Sequence, residues 1–139
     1  MLRSGCELGF WKRERSTLLL ILLFGLIFGL ISFVDHANFR TYALDLGLYT
    51  NAAWKYAHLL LADRSMITGG KDLLLADHLD LHLPLWAPLT YLFGEWTLLI
   101  VQLVAILLGG VGLYRYALVR TDDRSLARLT MCCGLLFFG

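Results

Sequence analysis

Residues Thr17–Val34 read TLLLILLFGLIFGLISFV, eighteen positions without a charged side chain. At about 1.5 Å per residue, a helix of that length reaches roughly 27 Å, enough for a thin or locally adjusted hydrocarbon core. The whole chain has the same character. Of its 139 residues 58% are hydrophobic, and the mean hydropathy is +0.67; soluble domains hold roughly 45–50% apolar residues. A cleavable signal peptide is the competing reading of this stretch. However, the run is longer than the usual ~7–15 residues, and Asp35-His36-Ala37 is not a small-x-small cleavage site. The expectation is an uncleaved anchor, a transmembrane helix over 17–34. Within it Gly25 and Gly29 stand four apart, a G-x-x-x-G whose flat face suits a closely approaching helix partner.

Outward from this anchor, the tail 1–16 carries Arg3, Lys12, Arg13 and Arg15. Downstream, a second uncharged run, Thr97–Leu113, is entered at Trp96 and left through Tyr114 and Tyr116, as interfacial aromatics would have it. It sets a second span over 96–114, thinned by Gly109, Gly110 and Gly112 at its far end. Arg115, Arg120, Arg124 and Arg128 follow, with Asp122 and Asp123 among them, in an expected loop over 115–128. A third apolar run starts over 129–139 and is too short to cross. The chain therefore reads as the N-terminal piece of a longer multi-pass protein. Basic clusters precede the first span and follow the second, so both are expected in the cytoplasm, with a cytoplasmic N-terminus in the plasma membrane.

That topology leaves 35–95 outside. This stretch holds all four histidines and seven of the eleven acidic residues, so any chemistry is expected there. Leu44, Leu48, Ala52, Tyr56 and Leu59 recur at three- or four-residue steps, predicting an amphipathic surface helix over about 44–61. Thr68-Gly69-Gly70-Lys71 signals a turn. The apolar segment within 79–93 contains Pro84 and Pro88. It is too short to cross and predicts a bent helix lying in or dipping into the outer interface.

Composition also excludes. A net charge of +1, with the basic residues at span ends, leaves no surface for nucleic acid. Cys6, Cys132 and Cys133 are odd in number and lack metal or disulfide spacing.

Among candidate residues Asp45 comes first. A carboxylate at the outer interface can act as general base toward a hydroxyl acceptor, or hold a divalent cation. It can equally be a helix N-cap. If the helix reaches back to Thr41, then Thr41, Asp45 and Tyr49 share a face. His78 and His82, with Asp77 and Asp80 beside them, have the i, i+4 spacing of a metal pair. Without a glutamate after the first histidine, this is not the zinc-peptidase motif. Hydrogen-bonded interfacial histidines, or contact from His78 to a phosphate or sugar oxygen, are the other readings. Arg40, at headgroup depth, suits the phosphate of a lipid-linked substrate or an ordinary phospholipid. Gln102 reads as a helix–helix hydrogen bond.

These residues carry a resemblance. Asp45-Leu46-Gly47-x-Tyr49, Trp54, Asp77-His78, Pro84, Ala87-Pro88-Leu89 with Tyr91, Leu98-Leu99 and Gln102 resemble a prokaryotic family of polytopic membrane proteins (domain of unknown function 2079) grouped with the fold-C glycosyltransferases. The resemblance covers roughly 35–120. It implies an all-α, multi-pass fold with surface helices in the first outer loop, and a sugar donor linked to polyprenyl phosphate. It implies Asp45 as the essential aspartate. Arg40, Tyr49 and His78 would then contact substrate, while a metal set of His78, His82 and Asp45, read from spacing, would be peculiar to this chain. His82 and Asp80 depart from the family pattern. The expected partners are the bilayer, the lipid-linked donor and helices docking on Gly25 and Gly29. The alternative is a non-catalytic membrane module, a transporter fragment or a truncated inactive product.

Overall fold

The computed structural model describes residues 4–41, 43–60 and 81–138. Among them every regular element is helical: α1 (Ser4–Ala37), α2 (Ala43–Ala57), α3 (His82–Trp86), α4 (Thr90–Phe93), α5 (Thr97–Thr121) and α6 (Arg124–Phe138). Single 3₁₀ turns at Ala87–Leu89 and Gly94–Trp96 link α3 to α4 and α4 to α5. The all-α expectation holds. The glycine turn at 68–71, along with Asp77, His78 and Asp80, lies outside the described residues.

Two stretches are long and apolar enough to cross a bilayer, Glu14–Ala37 and His82–Thr121. Only 11% and 17% of their apolar windows are buried, whereas the core helix of a soluble protein would be mostly covered. Leu22, Leu26 and Leu30 lie open along α1. In water so much exposed hydrocarbon would drive association, while lipid chains cover it without cost.

The helices run further than the uncharged segments. α1 begins at Ser4, inside the basic tail. The segment 115–128, expected as a loop, is helical on both sides of a two-residue turn. Charge limits how far a helix can sit in hydrocarbon, but it does not end the helix. Asp122 does that with a positive φ of 53°, a conformation aspartate tolerates better than most residues. Asp123 then opens α6. Its Oδ1 accepts from the backbone N–H of Ser125 at 2.7 Å and of Leu126 at 3.3 Å, satisfying donors that a helix start leaves unpaired.

The chain divides into two compact units, Met1–Ile31 with Leu103–Gly139, and Ser32–Gln102. In the first, Tyr114, Ala127, Met131 and Leu135 form a buried cluster with Phe24, Phe28 and Leu107 packed on it. Glu14 is buried there among polar partners. The Tyr114 hydroxyl donates to its Oε2 at 2.6 Å, Thr17 donates at 3.3 Å, and Arg124 Nε stands 3.6 Å from Oε1. A carboxylate removed from water needs such partners. The glycines interlock with leucines. A Cβ on Gly25 would meet Leu107 at 3.1 Å, so that glycine faces α5 of the same chain. Leu113 lies over Gly134, and Leu135 lies over Gly110.

In the second unit, Ala52 and Ala53 of α2 let Leu83 of α3 come close, with Leu48, Tyr49, Tyr56 and Leu98 around them. The Tyr91 hydroxyl donates to Ala57 O at 2.7 Å, tying α4 to the end of α2.

The glycines of α5 differ in what an added methyl would meet. At Gly110 a Cβ would stand 2.9 Å from Leu135 Cγ as well as 2.8 Å from Cδ2, so rotation of a methyl cannot relieve it; at Gly112 nothing lies within 4 Å. Gly110→Ala is expected to lower stability by about 1–3 kcal/mol, as overpacking does. Gly112→Ala is expected to be neutral or to raise stability by up to ~1 kcal/mol. Thermal unfolding of the two variants in detergent checks the contrast.

Candidate functional site

The site-bearing unit is Ser32–Gln102, and its main feature is a cleft of about 790 Å³. The cleft is built where α1 ends and α5 begins, with α2 as its long wall. Leu46, Gly47, Thr50, Asn51 and Trp54 line it. At 100° per residue these positions form one face of α2. Leu48, Tyr49, Ala52, Ala53 and Tyr56, which pack toward Leu83, form the opposite face. One helix thus carries a structural side and a cleft side.

The end of α1 supplies the second wall. Arg40 N–H donates to Asp35 O at 2.8 Å and Phe39 N–H to His36 O at 3.0 Å, the paired bonds of a Schellman motif. Phe39 holds the left-handed position, φ 55°, where glycine is usual, and it is 95% exposed. This reversal brings Thr41 back to His36, whose Nδ1 is hydrogen-bonded to the threonine hydroxyl at 3.0 Å. The His36 ring meets Trp96 edge-on at 4.7 Å, and Phe33 meets the same indole at 5.8 Å. Trp96 is thereby fixed from α1.

The floor near Glu95 and Trp96 depends on Gly94. Its φ of 55° and ψ of −132° belong to a region that side chains oppose. Thr97 secures the turn by donating to Gly94 O at 2.7 Å. On α2, Trp54 stacks on His58 at 4.0 Å, and His58 Nδ1–H donates to Trp54 O at 2.7 Å. Thr50 lies on the same wall. Its Oγ1 is buried and has no hydrogen-bond partner among the described residues.

The residues singled out from the sequence are distributed as follows. Asp45 is the third residue of α2, inside the helix rather than at its cap. Thr41 lies before α2, bonded to His36, so Thr41, Asp45 and Tyr49 share no helix face. Tyr49 is half-buried against the Ala53–Leu83 cluster. Arg40 is exposed and is not part of the cleft wall. His82 is exposed at the start of α3, and Gln102 is exposed on α5. Among the described residues no three His, Cys, Asp or Glu side chains gather as a metal site would need. Thr50, Asn51 and Glu95 were not singled out from the sequence, although Gly47, Thr50 and Asn51 form a readable small-and-polar patch on one face of α2.

A sequence profile of the family described as "Predicted membrane protein (DUF2079)" matches residues 35–139, the stretch that contains α2 to α6 and every residue named in the cleft wall. The chain belongs to this family. It is therefore a membrane protein, in keeping with its two exposed apolar helices. No curated protein and no solved structure matches it.

Gly94 offers a direct check on the cleft floor. A Cβ there would meet nothing within 4 Å, so only the backbone conformation opposes a side chain. Gly94→Ala is expected to cost about 1–3 kcal/mol and to shift the emission of Trp96, measured by thermal unfolding and tryptophan fluorescence.

Proposed function

We propose that this protein acts on an amphiphile at the outer surface of the membrane, as a glycosyltransferase-like protein taking a sugar from a polyprenyl-phosphate donor. The observation that carries this reading is the cleft. It sits at the junction of two apolar helices and combines indole rings with hydroxyl, amide and carboxylate groups. A lipid-linked sugar has the same division, with an apolar tail for the bilayer and a hydroxylated head for hydrogen bonding.

The distribution of basic residues supports the sidedness. Lys12, Arg13 and Arg15 precede one apolar helix, and Arg115, Arg120, Arg124 and Arg128 follow the other. Positive charge is retained on the cytoplasmic side, which puts the N-terminus inside and the cleft-bearing unit outside. The chain then crosses the membrane more than once.

In this scheme Asp45 is the general base toward the acceptor hydroxyl. Arg40 pairs with donor phosphate, while Tyr49 and His78 orient the substrate. Transfer needs only a base and charge stabilisation at the leaving phosphate.

A second reading, a non-catalytic assembly module, is favoured by the leucine–glycine interlock of α5 with α6 and the Glu14 network. These are features of a helix-packing scaffold.

The test is Asp45→Asn, which keeps the size and removes the charge. Transfer from a polyprenyl-phosphate sugar in membranes is expected to fall at least about a hundredfold, the scale of lost general-base catalysis, with insertion unchanged by membrane fractionation. Undiminished transfer removes Asp45 from the mechanism. Absence of transfer in the unsubstituted protein favours the assembly module.

A further inference from the structure

We infer that the Ser32–Gln102 unit rests on lipid acyl chains through the corner where α2 ends and through the outer face of α3 and α4, and not through the apolar stripe of α2. The partner is the hydrocarbon of the leaflet that this unit faces. The inference needs the membrane setting but not the proposed sugar transfer.

The stripe of α2 is already used. Leu48, Ala52 and Tyr56, whose spacing suits a helix lying on a membrane, are packed with Leu83 and Leu98 inside the unit. The α3–α4 segment then carries two rows. Leu83, Ala87 and Thr90 are buried, while Leu81, Leu85 and Leu92, at steps of four and seven, stand exposed on the opposite side. No charged residue occurs from Leu83 to Gly94. A helical segment that is apolar on its outer face as well as its inner one is suited to hydrocarbon and not to water. It is also continuous with α5 in one apolar stretch, His82–Thr121, long enough to cross a bilayer.

The end of α2 shows which medium covers this side. A helix leaves its last four carbonyls without intrahelical partners, and in water the solvent can take them. In α2 they belong to Trp54, Lys55, Tyr56 and Ala57, and the protein fills every one. His58 N–H is shared between Trp54 O and Lys55 O at 3.1 Å each, and His58 Nδ1–H donates to Trp54 O at 2.7 Å. Leu60 N–H donates to Lys55 O at 2.9 Å, and Leu59 N–H to Tyr56 O at 3.1 Å. The Tyr91 hydroxyl, reaching from α4, takes Ala57 O at 2.7 Å. Yet His58, Leu59, Leu60 and Tyr91 are themselves exposed. Surroundings that offer no hydrogen bonds make each open carbonyl costly, and so demand this closure. The flanking sequence agrees. The end of α1 is followed by Asn38 and Arg40, that of α2 by Leu59 and Leu60. Polar residues lie at the margins of the corner: Lys55 one turn before the end of α2, with a stem long enough to reach the headgroups, and His82 at the start of α3.

The test uses the full chain in nanodiscs, with Cys6, Cys132 and Cys133 replaced by alanine and one spin label at a time on Leu59→Cys, Leu85→Cys or Leu92→Cys. Asn38→Cys is the water-facing reference. Collisions with oxygen, which concentrates among acyl chains, and with a water-soluble nickel chelate are read by power saturation. Labels at 59, 85 and 92 are expected to meet oxygen and to be shielded from nickel relative to the label at 38. Tyr91→Phe, which opens Ala57 O, is expected to lower the melting temperature in discs by several degrees. Nickel access at 59, 85 or 92 equal to that at 38 overturns the inference, because that surface is then in water. Shielding from both reagents overturns it as well, since protein, a second copy or another segment, then covers the surface. So does an unchanged melting temperature for Tyr91→Phe, because water then replaces the hydroxyl. None of these readouts involves turnover, so loss of sugar transfer refutes only the transfer reading.

Discussion

Hydrocarbon offers no hydrogen bonds, and most of this architecture follows from that. A backbone crossing it must satisfy its own N–H and C=O groups, which leaves the helix as the economical form for the apolar stretches of this chain. Side chains obey the same constraint. Glu14 is tolerated because a tyrosine, a threonine and an arginine converge on its carboxylate. Helix contacts have no hydrophobic drive within lipid and depend on close fit. Leucines therefore lie over glycines between α5 and α6, and Leu107 lies against Gly25.

Against that rule of satisfied polar groups, Thr50 stands out. Its α2 neighbours on the other face are packed into the Ala53–Leu83 cluster, while the Thr50 hydroxyl is buried and unpaired among the described residues. The surrounding geometry is also strained. Phe39 and Leu59 occupy left-handed positions at the ends of α1 and α2, at a cost of about 1–2 kcal/mol each relative to ordinary helix geometry. Both reversals are held by paired backbone bonds, Arg40 to Asp35 and Leu60 to Lys55 among them. Together with Gly94 they set the path of the chain around the cleft.

Much of the fold is legible in the sequence because composition and charge carry it. Uncharged runs of helix-spanning length announce the apolar helices, and the repeat of Leu48, Ala52 and Tyr56 announces α2. The helix ends are less legible. Left-handed caps are expected at glycine, and here they fall on phenylalanine and leucine. The arginines after Leu113 suggest a loop, yet the helix continues to Thr121. The Glu14 network is hidden for another reason, since its tyrosine lies a hundred residues away. The cleft is only half legible. Its aromatic Trp54 is prominent, but that the Thr50 hydroxyl finds no partner among the described residues is something no sequence pattern reveals. Asp45 is a conspicuous carboxylate, and its place as the third residue of α2 rather than as a cap depends on where the helix starts.

Everything functional here depends on the Ser32–Gln102 unit facing away from the cytoplasm. Single cysteines at Asn38 and Ser125, in a chain whose own Cys6, Cys132 and Cys133 are replaced by alanine, can be probed with a membrane-impermeant maleimide. The account predicts that Asn38→Cys labels in intact cells and Ser125→Cys only in inverted vesicles. Labelling of Ser125→Cys in intact cells with Asn38→Cys protected, or labelling of both from one side, would contradict it.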